Sequence, residues 1–222
     1  FMYSRLSKKA KKKVREINPN IPIVWGGWHP SLLPEETLKN EFVDIIVQGQ
    51  GETTFYELVK AIENKDNLNN VKGIYYKDNG NIIKTENRPF EDIKNFPKID
   101  YELVDLKKYD NRFKRINYIG SQGCPHRCRF CANLILFKKR WFAFTPKRII
   151  DEVEYLIKKY NYEEISFDDD NFMVDKKRVI NICEEIIKRK LKFKWIANAR
   201  ASYIHNWDDE FMGLLKRAGC SK

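Results

Sequence analysis

The sequence predicts an α/β fold in two consecutive modules, and three observations carry that expectation. Short β-branched runs alternate with helix-period stretches in the first 65 residues and again from residue 115 onward. Parallel strands joined by helices need cover on both faces, so this alternation implies a doubly wound sheet or a repeated βα unit. Between the two stretches lie a hairpin signal and a proline-bearing segment, which read as a connector. Finally, three cysteines fall within eight residues, Cys124, Cys128 and Cys131, just after the first strand of the second module. The expected boundaries are residues 1–70, 71–111 and 112–222.

In chain order, a basic helix comes first, with the dense run Lys8 to Lys13 on its solvated face. A strand follows at Ile21 to Trp25 and breaks at Gly26 and Gly27. Helix signals appear in PEETLKN, a buried strand in Val43 to Val47, and a helix from Gly51 that puts Phe55, Leu58, Val59 and Ile62 on one face. These are the later strands of a doubly wound sheet. Phe1 is not an initiator methionine and no strand precedes the first helix, so both ends read as cut. Ile74 to Lys77 and Ile82 to Thr85 flank Asp78-Asn79-Gly80-Asn81, and Asn-Gly is the favoured two-residue hairpin turn. From Arg88 to Asn111, Pro89, Pro97 and isolated aromatics predict an extended linker packed across the domain junction.

The second module begins with a strand at Arg115 to Gly120. After the cysteine loop, Thr145 caps a helix with Pro146 at its first position, and Ile149, Ile150, Val153, Leu156 and Ile157 form the buried face. Strand Glu164 to Phe167 leads into the acidic run Asp168, Asp169, Asp170, Asn171. Asp175 caps the next helix, whose Val179, Ile182, Cys183, Ile186 and Ile187 recur at helical spacing, which makes Cys183 a core residue. Strand Phe193 to Ala197 leads to Asn198 and Arg200. A last helix carries Phe211, Leu214 and Leu215, and Cys220 is structural at the start of a fourth strand region.

The run CPHRCRFC gathers three thiolates around one point, and a cubane held by three cysteines keeps one iron open. Structural zinc needs a fourth ligand, for which only His126, Cys183 and Cys220 are candidates, and the second ligand pair of a zinc finger is missing. The C-x3-C-x2-C spacing, with Phe130 before the third cysteine, resembles the radical S-adenosylmethionine (SAM) superfamily. The lead-in RINYIGSQG and the helix, strand, helix, strand, helix order behind the loop extend the resemblance. It implies the first β/α units of a partial TIM-type barrel. It also implies that Cys124, Cys128 and Cys131 hold a [4Fe-4S] cluster, whose open iron takes SAM's amino and carboxylate groups for reductive cleavage. DDNF, Asp169 to Phe172, resembles the run that receives SAM's amino group. That assigns Asp169 and Asp170 to the cofactor, because clustered acids are costly without a cation; a capping acidic turn is the alternative. WIANAR resembles the third strand of the same class, so Arg200 would orient SAM's carboxylate or a substrate acid, against an ordinary ion pair. No catalytic residue is assigned.

The segment VWGGWHPSLLPEETLKNEFVDIIVQGQGETTF resembles the C-terminal half of the Rossmann-like cobalamin-binding domain that precedes the barrel in one radical SAM class. The resemblance implies that Gly26, Gly27, Gly49 and Gly51 let cobalamin approach bare backbone at the strand ends, where ligands settle in open α/β sheets. The alternative is that these glycines only end strands. The D-x-H-x-x-G motif of a lower histidine ligand is absent, so His29 reads as a brace of the glycine turn.

Five cysteines, three of them clustered, fit a reducing cytoplasm better than secretion. No apolar run approaches the ~18 residues of a membrane span. A net charge of +11 raises the question of nucleic acid. The lysines, however, are read as spread along the chain and mixed with acids on polar helix faces, which argues for a solvated surface. The expected function is a radical SAM enzyme, a cobalamin-dependent methyltransferase or related cyclase. It would act on a small molecule and be reduced by a donor such as flavodoxin or ferredoxin. The alternatives are a radical SAM methylthiotransferase of RNA or protein and a non-enzymatic zinc or nucleic-acid-binding module.

Overall fold

A computed structural model describes residues 12–109 and 114–221. Lys8 to Lys11 of the basic run lie outside the described residues; Lys12 and Lys13 are exposed on a helix over residues 12–17. The chain divides into two compact units, residues 1–91 and 92–222.

In the first unit, β1 (Val24–Trp25) pairs parallel with β2 (Ile45–Val47), and β3 (Ile74–Asp78) and β4 (Asn81–Lys84) extend the sheet antiparallel in the order β1-β2-β3-β4. All three residues of β2 are buried, as expected of a central strand covered on both faces. Its side chains alternate: Ile45 and Val47 pack with Leu58 and Ala61 of α3 (Glu52–Asn64), while Ile46 joins Leu38 of α2 (Pro34–Leu38). A short helix, α1 (Trp28–Leu32), fills the β1–α2 connection.

Three expectations are corrected here. The sheet is mixed, because the hairpin predicted as a separate connector supplies two of its four strands. Its turn is as the sequence implied, with φ of 46° at Asn79 and 84° at Gly80, the positive pair that a two-residue reverse turn needs. Phe55 is half exposed, and α3 buries Thr54, Leu58 and Ala61 instead. The linker is not simply extended: it forms 3₁₀ turns at Ile93–Asn95, Tyr101–Leu103 and Leu106–Lys108.

In the second unit, β5 (Arg115–Tyr118), β8 (Glu164–Phe167) and β9 (Lys194–Ala197) form a parallel sheet in the order β5-β8-β9. The crossovers include α5 (Pro146–Tyr160) and α6 (Lys176–Lys188). Thr145 and Asp175 cap these helices by accepting from the backbone N–H groups of Arg148 and Arg178. The helices meet the sheet over one core, in which Ile165 and Phe167 of β8 alternate inward, Phe167 stacks on Phe172 and Trp195 packs against both rings. Ile187 is an exception to the predicted face and is exposed. After α8 (Asp209–Arg217), a parallel bridge joins Cys220 to Trp195, where a fourth strand would begin.

Between β5 and α5 lies a feature the sequence reading missed. β6 (Ser121–Gly123) pairs antiparallel with β7 (Trp141–Ala143), and the intervening loop contains α4 (Asn133–Phe137).

Candidate functional site

In parallel βα sheets, chemistry collects where strands end and loops begin. In the second unit, the acidic run and Arg200 follow the C-terminal ends of the parallel strands β8 and β9, and the cysteine loop lies beyond the end of β5, after β6.

The cysteine loop spans residues 124–140, and the β6–β7 pairing ties its two ends together. Gly123 stands at its mouth with φ +81°; a Cβ there would fall 2.3 Å from the Arg140 carbonyl, so the close approach of the two arms requires glycine. Cys124, Cys128 and Cys131 are free, half-buried thiols. The Cys131 N–H donates to the Cys128 carbonyl at 3.1 Å and Leu134 N–H to the Cys131 carbonyl at 3.2 Å, winding the chain into α4.

The segment after β9 holds the loop from a second side. Arg200 Nη1 donates to Cys128 Sγ at 3.5 Å. His126 Nε2 and the Tyr203 hydroxyl, on α7 (Ala201–Ile204), lie 2.6 Å apart. Burial, and then the Arg200 charge, push the His126 imidazole below its ordinary range; burial, and then Cys124, push the Tyr203 phenol up.

This arrangement fits a three-thiolate cluster better than structural zinc. Of the candidate fourth ligands, His126 is paired with Tyr203 and Cys183 is fully buried in the core. A cubane spreads its thiolates over several irons, so the donor set suits it without a fourth side chain.

The acidic run is split by strand-like alternation into exposed Asp168, buried Asp169 and exposed Asp170. Asp169 is 1% exposed. It accepts from Gly120 N–H at 3.1 Å and from the Ser121 hydroxyl, and lies 3.9 Å from the Arg178 guanidinium. Arg178 in turn donates to the Gly120 carbonyl at 2.9 Å. Burial pushes the Asp169 carboxyl up, opposed by Ser121 and Arg178, and pushes the Arg178 guanidinium down. The residue expected to receive SAM's ammonium thus has both carboxylate oxygens accepting hydrogen bonds at the entry to β6. Asp170 also braces this entry, accepting from Gly123 N–H at 3.1 Å, but remains exposed.

Two groups were given no role by the sequence. Asn171, 2% exposed, has neither carboxamide atom in a hydrogen bond, a costly state for a buried amide and therefore a polar group available to a ligand. Asn133, just past Cys131, has its carboxamide oxygen likewise unsatisfied. Asn171 lies inside the DDNF run and Asn133 just past the cysteine motif, and neither has a further sequence signature. Phe130 is 94% exposed, with its ring free beside the third cysteine.

Charge was also misread. Of the 42 Lys and Arg, ten lie between Asn111 and Ile150, a stretch holding none of the 31 Asp and Glu, so the segment around the cysteine loop carries almost all of the net +11. A running count of charge along the chain would have shown it.

In the first unit, Gly26-Gly27 and Gly49 to Gly51 follow the C-terminal ends of β1 and β2. Gly27 and Gly49 have φ of +97° and +76°, and a Cβ on either would meet nothing within 4 Å, so both border open space. Gly26 and Gly51 have ordinary backbone angles, so the expected demand for positive φ holds at two of the four. Ser31 couples the two loops: its hydroxyl accepts from Gly49 N–H at 2.9 Å and its carbonyl from Gln48 Nε2 at 3.0 Å. His29 is exposed on α1, and its carbonyl takes the Leu33 N–H that closes the helix.

Comparison with known proteins agrees with this division. Residues 3–59 match the family model of the B12 binding domain and residues 118–222 that of the radical SAM superfamily. An uncharacterized methyltransferase of Pyrococcus horikoshii is 33% identical over 94% of this chain and 46% of its own length. An anaerobic magnesium-protoporphyrin IX monomethyl ester cyclase of Synechocystis is 33% identical over 94% of this chain and 42% of its own length. The chain thus spans less than half of these curated relatives. Among solved structures, the radical SAM methyltransferase TsrM of Kitasatospora setae aligns with a TM-score of 0.80 at 20% identity, over 96% of this chain and 42% of that one. The cobalamin-dependent radical SAM enzyme OxsB aligns at 0.73 and 23% identity, over 96% and 31%.

Proposed function

The chain belongs to the radical SAM superfamily, in the class that carries a B12-binding domain ahead of the radical SAM part, and from that premise we propose that the protein is a cobalamin-dependent radical SAM enzyme. Its reaction is methyl transfer to a small molecule or a related cyclisation, and its cluster ligands are Cys124, Cys128 and Cys131. The observation that carries this reading is the set of three free thiols on one tied loop at the strand ends. A methyltransferase and a cyclase among the curated relatives support the two reaction types.

When bound, the cluster and SAM supply reductive one-electron cleavage, and cobalamin supplies a cobalt that carries a methyl group. The protein's part is to bind and orient. Arg200 holds the Cys128 sulfur in place with an N–H donor. Asp170 and Asn171 offer an exposed carboxylate and an unspent carboxamide to SAM's ammonium, and Phe130 offers an apolar face to its base. Arg178 and Asp169 fix the backbone from which the loop departs. In the first unit, Gly27 and Gly49 leave backbone bare for the corrin, and Gly26 and Gly51 complete the two turns. The electron donor is a carrier of flavodoxin or ferredoxin type, and a reducing cytoplasm is the setting. Among the described residues no helix is long and apolar enough to cross a membrane.

Anaerobic reconstitution tests this reading. The protein takes up iron and sulfide and develops broad visible absorption, and alanine at Cys124, Cys128 or Cys131 singly abolishes both. Full iron and sulfide in any of the three variants, or colourless protein with one zinc per chain, refutes it.

A further inference from the structure

We propose that the cationic rim of the cysteine loop is the docking surface for the electron donor, an acidic one-electron carrier protein; this rests on the cluster assignment above. Four of the ten basic residues around the loop, Lys114, Arg115, Lys147 and Arg148, are neutralised by Glu163, Glu164, Asp151 and Glu152. Arg127, Arg129, Lys138 and Lys139 are not. All four are exposed, and none forms an ion pair with a carboxylate among the described residues.

Their placement is set by the fold. Arg127 and Arg129 alternate with the cysteines themselves. Lys138 and Lys139 leave α4 with φ of 50° and 65°, a left-handed pair that turns the chain back toward Arg140, whose carbonyl abuts Gly123. The β6–β7 pairing therefore brings both pairs of cations to one loop, and that loop carries the thiols. The segregation is specific, since the rest of the chain is nearly neutral.

Unpaired like charges at one place repel, and their cost is recovered when an opposite surface arrives. Such a field raises the encounter rate of an acidic partner by ~10-fold to 10³-fold and weakens as salt is added. A protein carrier is favoured over nucleic acid because the charge centres on the thiol loop, where an electron must enter, rather than running as a stripe along a helix or groove. The transfer itself balances simply. The carrier, a reduced flavin or iron–sulfur protein, loses one electron, the oxidised cluster gains it, and no bond or proton moves between them.

The test uses the intact protein loaded with its cluster. Bleaching of the cluster's visible absorption is followed after mixing with a reduced flavodoxin, and separately with photoreduced 5-deazariboflavin, an uncharged reductant. The expected result is that Arg127→Glu/Arg129→Glu and Lys138→Glu/Lys139→Glu slow reduction by the flavodoxin about tenfold or more at low salt. The same variants should load full iron and be reduced normally by the deazaflavin. Charge-conserving Lys138→Arg/Lys139→Arg should behave as wild type. Equal slowing with both reductants would show that the cations act on the cluster itself, and no slowing with either would show that the carrier docks elsewhere; each overturns the proposal. Salt-sensitive binding of a single-stranded RNA oligomer, lost in the variants while flavodoxin reduction is unchanged, would make the surface a nucleic-acid site instead. Failure of the wild type to load a cluster at all would sink the cluster assignment, and the docking surface with it.

Discussion

The five cysteines divide by environment more than by sequence. Cys124, Cys128 and Cys131 are half-buried on a polar loop, one of them beside a guanidinium, whereas Cys183 is fully buried among aliphatic side chains. Burial pushes the Cys183 thiol from its ordinary 9.0 up to about 12, so it remains a neutral core residue where a ligand would need to be a thiolate. This shift has a sign for stability. A folded pKa above the unfolded value means that the native state keeps a proton the unfolded chain gives up. The contribution is complete below pH 9 and is lost as pH rises from 9 to 12. Urea midpoints should accordingly fall across that window, with the buried phenol of Tyr118 and the partly buried one of Tyr101 adding to the fall at its upper end. Cys183→Ala should flatten the cysteine part of the decline while leaving iron and sulfide uptake intact. An unchanged alkaline slope would mean that the thiol is not buried as described.

At the scale of elements, the loop depends on a hairpin of two three-residue strands, and Gly123 decides whether those arms can meet. An alanine there must adopt φ near +81° and place its Cβ 2.3 Å from the Arg140 carbonyl. Strain of this kind costs about 1–3 kcal/mol before any overlap is relieved. Gly123→Ala should therefore lower the denaturation midpoint and also impair cluster loading, although no ligand is touched. Normal loading with normal stability would show that the β6–β7 arms are not what sets the loop. The longer elements were legible because their signals agree: Thr145 and Pro146 start α5, apolar residues at helical spacing line it, and Asp175 repeats the cap at α6. The β6–β7 hairpin was not, since SQG and WFA are too short for alternation to register. The β3–β4 hairpin was seen, but its attachment to β2 was not, because edge pairing follows from which strand is left uncovered rather than from local sequence. In the site, the thiol spacing was readable, whereas the burial of Asp169 depended on Gly120 and Ser121, nearly fifty residues earlier in the chain, and on Arg178 across the next turn.

At the scale of the whole chain, two compact units carry two sets of strand-end loops, one rich in glycine and one in thiols. Each set is built from contacts inside its own unit: Ser31 joins the glycine loops of the first, and Arg200, Tyr203 and Asp170 brace the thiol loop of the second. Cofactor binding should then be separable by mutation. Gly26 is the useful probe, because it is exposed, has no positive φ, and a Cβ there would make only ordinary contacts with Val47, the nearest at 3.5 Å. A leucine at this position costs little backbone strain yet projects bulk at the end of β1, where the proposed corrin would lie. Gly26→Leu should abolish retention of cobalamin through gel filtration while leaving iron and sulfide content, and the thermal midpoint, near those of the wild type. Cysteine-to-alanine variants should show the reverse, keeping cobalamin and losing iron. Cobalamin retained at wild-type level by Gly26→Leu would leave the glycines as strand ends only, and loss of both cofactors from either variant would show that the two loops cannot be treated as independent sites.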